Sequence, residues 1–99
     1  MQRKVYLTRL KPEFRSAYLS AHENFSADLK RRYEEAGFLN CAVYLLEDTL
    51  VLVTEAEDHD RTAALLANDP VDQAWQAYVG PMKAEGDYLE AAEIFRIDL

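Results

Sequence analysis

The sequence predicts an α+β fold of ferredoxin-like β-α-β-β-α-β order, with helices over one face of a four-stranded antiparallel sheet. Three observations carry that expectation. Short β-branched or aromatic runs open and close the chain, at residues 5–10 and 92–97. Two more, at 41–46 and 50–56, are separated only by Glu47-Asp48-Thr49, the pattern of a hairpin. The intervening stretches repeat apolar residues at helical spacing and are punctuated by Ser, Asp, Pro and Gly.

Each element has a local reason. The first strand ends at Lys11-Pro12, where proline suits the first position of a helix. Phe14, Ala17, Tyr18, Ala21, His22 and Phe25 then follow an i, i+3, i+4, i+7 stripe that packs inward. Residues 23–26 break the helix, and Ser26 can cap the next one through its hydroxyl. Leu29, Tyr33 and Ala36 continue the helical spacing until Gly37 stops it, while Lys30-Arg31-Arg32 forms a solvated flank. The hairpin runs read as central strands. Asp58 can cap a helix to about residue 67, and Asp69-Pro70 stops it and starts another. In that last helix Val71, Ala74, Trp75 and Tyr78 share an inward face, and Gly80-Pro81 ends it. Residues 82–90 read as a polar loop before the final strand. The helices leave one sheet face bare, and at this size such a face serves as a ligand cleft or a dimer surface.

Composition narrows the function. The 99 residues, 49% hydrophobic, support one domain spanning 1–99. A net charge of −7, with no basic cluster longer than residues 30–32, argues against nucleic acid and against an anionic membrane surface. A single cysteine, Cys41, excludes an intrachain disulfide, and one Cys with two His cannot assemble a Cys/His metal cluster. The N-terminus has no apolar signal-peptide core and no run approaches the roughly 20 residues of a membrane span. The expectation is a soluble cytoplasmic protein in a reducing compartment.

Cofactor motifs are missing as well: there is no Gly-rich phosphate loop, GxSxG, HExxH or C-x-x-C, so no cofactor is expected. What remains is Tyr18 and His22, one helical turn apart on an apolar stripe. They read either as a small polar site in a hydrophobic wall or as a core histidine satisfied by one hydrogen bond. His59, inside Glu57-Asp58-His59-Asp60-Arg61, reads as a solvated helix start rather than a catalytic group. Cys41 on an apolar strand reads as a small packing residue. Trp75 is either core or the flat apolar surface on which a sugar ring rests.

In register, Arg3-Lys4, Pro12, Tyr18-x-x-x-His22, Asn24, Gly37, Asn40, Ala42, Tyr44, Val71-x-Gln73-x-Trp75-x-x-Tyr78 and Met82 resemble the L-rhamnose mutarotases over almost the whole chain. The resemblance implies a small dimeric α+β barrel that interconverts the α and β anomers of a 6-deoxyhexose without a cofactor. It implies that His22 is the catalytic acid/base and that Tyr18, Cys41, Trp75 and Gln76 line the sugar site. The chain departs from the family where Cys41 replaces an aromatic, Gln76 a second Trp, and Phe25 and Ser26 a Pro and a Trp. A roomier, more polar pocket follows, one expected to accept L-rhamnose and also a differently configured 6-deoxyhexose such as L-fucose. Ring opening and closure are proton transfers that one imidazole can serve near neutral pH. Two other classes stay open: a cofactor-free monooxygenase of the same architecture, and a non-catalytic ligand-binding or oligomerisation module. The expected partners are a small-molecule sugar and a second copy of the chain in a homodimer.

Overall fold

A computed structural model describes residues 1–84 and 88–99 of the chain. Its elements are β1 (Gln2–Arg9), α1 (Arg15–Glu23), α2 (Ala27–Ala36), β2 (Phe38–Leu46), β3 (Thr49–Ala56), α3 (His59–Leu66), α4 (Pro70–Val79) and β4 (Leu89–Ala91). Short 3-10 turns at Pro12–Phe14 and Gly80–Met82 lead into α1 and out of α4. The expected β-α-β-β-α-β order, with both helical layers interrupted, is what the chain adopts.

The caps act where their chemistry places them. Ser26 Oγ accepts from Leu29 N at 3.2 Å, Asp58 from Arg61 N, and Asp69 from Val71 N and Asp72 N. Gly37 ends α2 at φ 109°, and a Cβ there would lie 2.9 Å from Thr62 Oγ1. That hydroxyl is needed in place, because it donates to Ala36 O at 2.8 Å in the buried seam between α2 and α3.

All strand pairs are antiparallel, in the order β2-β3-β1-β4. Only β3 and β1 are therefore central. β2, expected inside the sheet, lies at its edge, because β1 fills the far side of β3. Residues directly opposite each other share a face, so Lys4, Thr54 and Cys41 form one row, Tyr6, Leu52 and Val43 the next, and Thr8, Leu50 and Leu45 a third. This is the helix-covered face, on which Thr8 and Leu50 are fully buried. The core packs there: Leu10, Tyr18, Leu50, Val79 and Met82, with Phe14, Ala17, Ala21, Leu52 and Trp75 against them. The other face carries Val5, Leu7, Val51, Val53, Ala42 and Tyr44.

Two further expectations are corrected. The last strand is Leu89–Ala91 rather than 92–97, because Tyr88 stacks on Tyr6 at 5.1 Å and Glu90 pairs with Lys4, fixing an earlier register. Ile94, Phe95 and Ile97 stand exposed. On α4 the inward side chains are Trp75 and Val79, while Ala74 and Tyr78 face out. Val79, four residues after Trp75, continues the stripe that Tyr78 was expected to continue.

Candidate active site

Between the helices and the sheet lies a cavity of about 830 Å³. Tyr18, His22, Cys41, Trp75 and Gln76, which the sequence placed at a site, all line it, although they come from three separate elements.

Tyr18 and His22 sit one turn apart on α1, with ring centres 4.4 Å apart. His22 Nδ1 lies 2.8 Å from the Tyr18 carbonyl oxygen. A carbonyl only accepts, so Nδ1 carries the proton in the neutral ring and Nε2 is left with its lone pair. Trp75 meets the His22 ring edge-on at 5.1 Å and Phe25 at 4.9 Å, so the imidazole is held by aromatic contacts on two sides. Tyr18 is buried, and burial pushes its phenol up to about 12, with Tyr88 nearby adding to the shift. It stays protonated at neutral pH and can donate a hydrogen bond.

Gln76 is exposed on α4 and reaches toward Asp72 at 3.4 Å. Asp72 accepts a 2.6 Å bond from Tyr33 of α2, whose phenol is raised by burial and by that carboxylate. This link ties the two helical layers at the rim. Cys41 is not the packing residue its apolar strand suggested: it is exposed, beside Thr54 on the cavity wall. Enough protein still surrounds the sulphur that burial pushes the thiol up to about 11. Surface area governs what can touch the thiol, whereas ionisation responds to protein several ångström away.

His59 overturns the solvated-helix reading. It is 8% exposed, its Nε2 lies 3.0 Å from Thr54 Oγ1, and its Nδ1 is buried without a partner among the described residues. Its backbone N–H donates to the Gln2 side chain at 2.8 Å. The charged neighbours in sequence point outward while the helix start turns this one ring in against Phe38.

The sequence reading missed the sheet side of the site: Lys4, Tyr6, Lys83 and Tyr88. One signal could have found part of it. Gln2, Lys4, Tyr6 and Thr8 alternate with Arg3, Val5 and Leu7, so the polar residues of β1 share one face, and that face is the one under the helices. Lys83 and Tyr88 lie in a stretch that reads as polar loop.

Among the described residues no group of three His, Cys, Asp or Glu is placed to hold a metal ion, and no helix is long and apolar enough to cross a membrane.

A family model described as L-rhamnose mutarotase matches residues 3–96. An L-rhamnose mutarotase from Formosa agariphila superposes with a TM-score of 0.81 at 17% identity, covering 99% of this chain and 100% of that one. Tetracenomycin F2 cyclase from Streptomyces glaucescens is similar at TM-score 0.61 and 18% identity, over 99% and 100% of the two chains. An antibiotic biosynthesis monooxygenase follows at 0.65 and 10% identity, over 95% and 99%. At these identities the likeness is one of fold. A search of curated proteins gives no significant match.

Proposed function

We propose, from the premise that this chain belongs to the L-rhamnose mutarotase family, that it interconverts the α and β anomers of a 6-deoxyhexose by acid/base ring opening and closure. The observation that carries this reading is the His22 ring, its Nδ1–H tied to the Tyr18 carbonyl at 2.8 Å and its Nε2 without a partner among the described residues, beside a cavity large enough for a monosaccharide. Nε2 removes the proton of the anomeric hydroxyl, the ring C–O bond breaks as the ring oxygen is protonated, and the aldehyde recloses on either face. Trp75 offers an apolar surface to the sugar ring, and Tyr18 donates to a sugar oxygen.

Cys41 and Gln76 widen the wall and add an amide that donates and accepts. L-Rhamnose is therefore turned over, and L-fucose as well or better. Saturation-transfer NMR at the anomeric protons of both sugars, for wild type and Gln76→Trp, tests this. No acceleration with either sugar defeats the mutarotase reading. A tenfold or greater preference for L-rhamnose that Gln76→Trp leaves unchanged defeats the fucose part alone.

The open sheet face supports a homodimer. Val5, Leu7, Val51, Val53 and Tyr44 form an apolar surface that a soluble monomer does not ordinarily leave bare. Light scattering should give twice the 11.4 kDa chain mass. A lone cysteine suits a reducing compartment such as the cytoplasm.

A further inference from the structure

We propose that Lys83 is a second catalytic residue of this cavity, the acid that protonates the ring oxygen while His22 Nε2 takes the anomeric proton. The inference rests on the sugar reading above.

Its first support is the backbone. Lys83 pairs with Leu10 across an antiparallel bridge, and main-chain bonds on either side, Lys11 N to Met82 O at 2.9 Å and Ala84 N to Arg9 O at 2.8 Å, clamp it to the end of β1. Leu10 lies on the helix-covered face, in step with Thr8, Tyr6 and Lys4, so the residue opposite it projects to the same side. Lys83 accordingly lines the cavity.

The surroundings give the second support. Its Nζ lies 5.6 Å from the Tyr88 ring centre, and no carboxylate among the described residues forms an ion pair with it. Lys4 instead takes the nearby carboxylate of Glu90, at 3.8 Å. A half-buried ammonium whose one close contact among the described residues is a ring face is a poor device for stability, since removal from water outweighs one cation–π contact. It suits proton transfer, because burial lowers the lysine pKa and makes the ammonium a stronger acid.

The roles are complementary. His22 stands on the helix side of the cavity and Lys83 on the sheet side, so a sugar held between them meets a base and an acid in one step. As the ring opens, the anomeric proton passes to His22 Nε2, the ring C–O electron pair leaves with the ring oxygen, and that oxygen takes a proton from Lys83. The products are an aldehyde, an imidazolium and a neutral amine. Closure after rotation about the first carbon–carbon bond reverses each transfer and restores both groups.

The titratable groups lining the cavity with Lys83 are Lys4 and Tyr6 of β1, Tyr18 and His22 of α1, Lys30, Tyr33 and Glu34 of α2, Cys41 of β2, His59 and Asp60 of α3, and Tyr88, with Glu90 of β4 beside Lys4. All four phenols, Tyr6, Tyr18, Tyr33 and Tyr88, are raised above the usual tyrosine value by burial. A fall in rate on the basic side reports Lys83 where Lys83→Met abolishes it.

The test is anomer exchange of L-rhamnose by magnetisation-transfer NMR between pH 6 and 10, on wild type, Lys83→Met and Lys83→Arg. Circular dichroism confirms folding, and Trp75 fluorescence on sugar titration reports binding. Wild-type exchange should fall on the basic side at a pH below that of free lysine. Lys83→Met should be at least about 30-fold slower and lack that limb. Lys83→Arg keeps the cation but not a proton it readily gives up, so it should bind sugar like wild type and exchange slowly. The proposal is overturned if Lys83→Met stays within threefold of wild type with the limb intact, or if Lys83→Arg is fully active. Absence of exchange in wild type removes the sugar reading, and this assignment with it.

Discussion

His22 offers the sharpest contrast, because its two ring nitrogens do separate jobs. His22→Asn puts an amide N–H where Nδ1–H sits, keeping a donor for the Tyr18 carbonyl 2.8 Å away, but removes Nε2. His22→Gln reaches toward the Nε2 position and gives up that donor. An amide takes no proton near neutral pH, so both variants should lose anomer exchange by at least about a hundredfold, worth about 2.7 kcal/mol of barrier. Stability should separate them. Asn should cost little, whereas Gln forfeits a net hydrogen bond of about 1 kcal/mol, or about 4–8 °C in Tm for a chain of this size. Exchange is read by NMR at the anomeric protons and stability by thermal melts. If His22→Asn exchanges within about threefold of wild type, Nε2 is not the proton shuttle. If neither variant folds, His22 is a core residue.

His59→Ala should lower stability by about 2 kcal/mol, since it empties a buried site against Phe38 and strips Thr54 of its 3.0 Å partner; an unchanged melting temperature would return His59 to the surface. Gly37→Ala forces a Cβ to 2.9 Å from Thr62 Oγ1 at φ 109° and should cost about 2–3 kcal/mol, with exchange per folded molecule unaltered. Cys41 should alkylate slowly. With its pKa pushed up to about 11, it is ionised about 200-fold less than a free thiol at pH 8, and the greater nucleophilicity of the basic thiolate recovers about tenfold. Iodoacetamide labelling should therefore run about twentyfold below free cysteine and keep rising to pH 10; a plateau below pH 9 contradicts the burial argument.

Local chemistry in the chain was enough for the element order and its punctuation. Ser26, Asp58 and Asp69 cap because a short side-chain oxygen meets the free N–H groups two or three residues on, and Gly37 stops α2 because no other residue takes φ 109° cheaply. The Tyr18–His22 contact was legible for the same reason, since residues four apart on a helix are always neighbours. Gln76 and Cys41 reached the site through the family resemblance rather than through spacing, whereas the helical stripe had already left Trp75 open as a sugar platform.

Tertiary structure decided what depends on partners distant in sequence. β2 is an edge strand because β1 occupies the other side of β3, and no property of residues 38–46 encodes that. The final strand shifted to Leu89–Ala91 because Tyr88 stacks on Tyr6, more than eighty residues earlier in a chain of 99. His59 turned inward because Thr54 and Gln2 wait for it, although its sequence neighbours are charged. Lys83 entered the cavity through a single bridge to Leu10, and from a loop-like stretch only that pairing sets the direction of its side chain. Helix caps and one-turn contacts are local and can be read along the chain, whereas register, edge and face are fixed only when two distant segments meet.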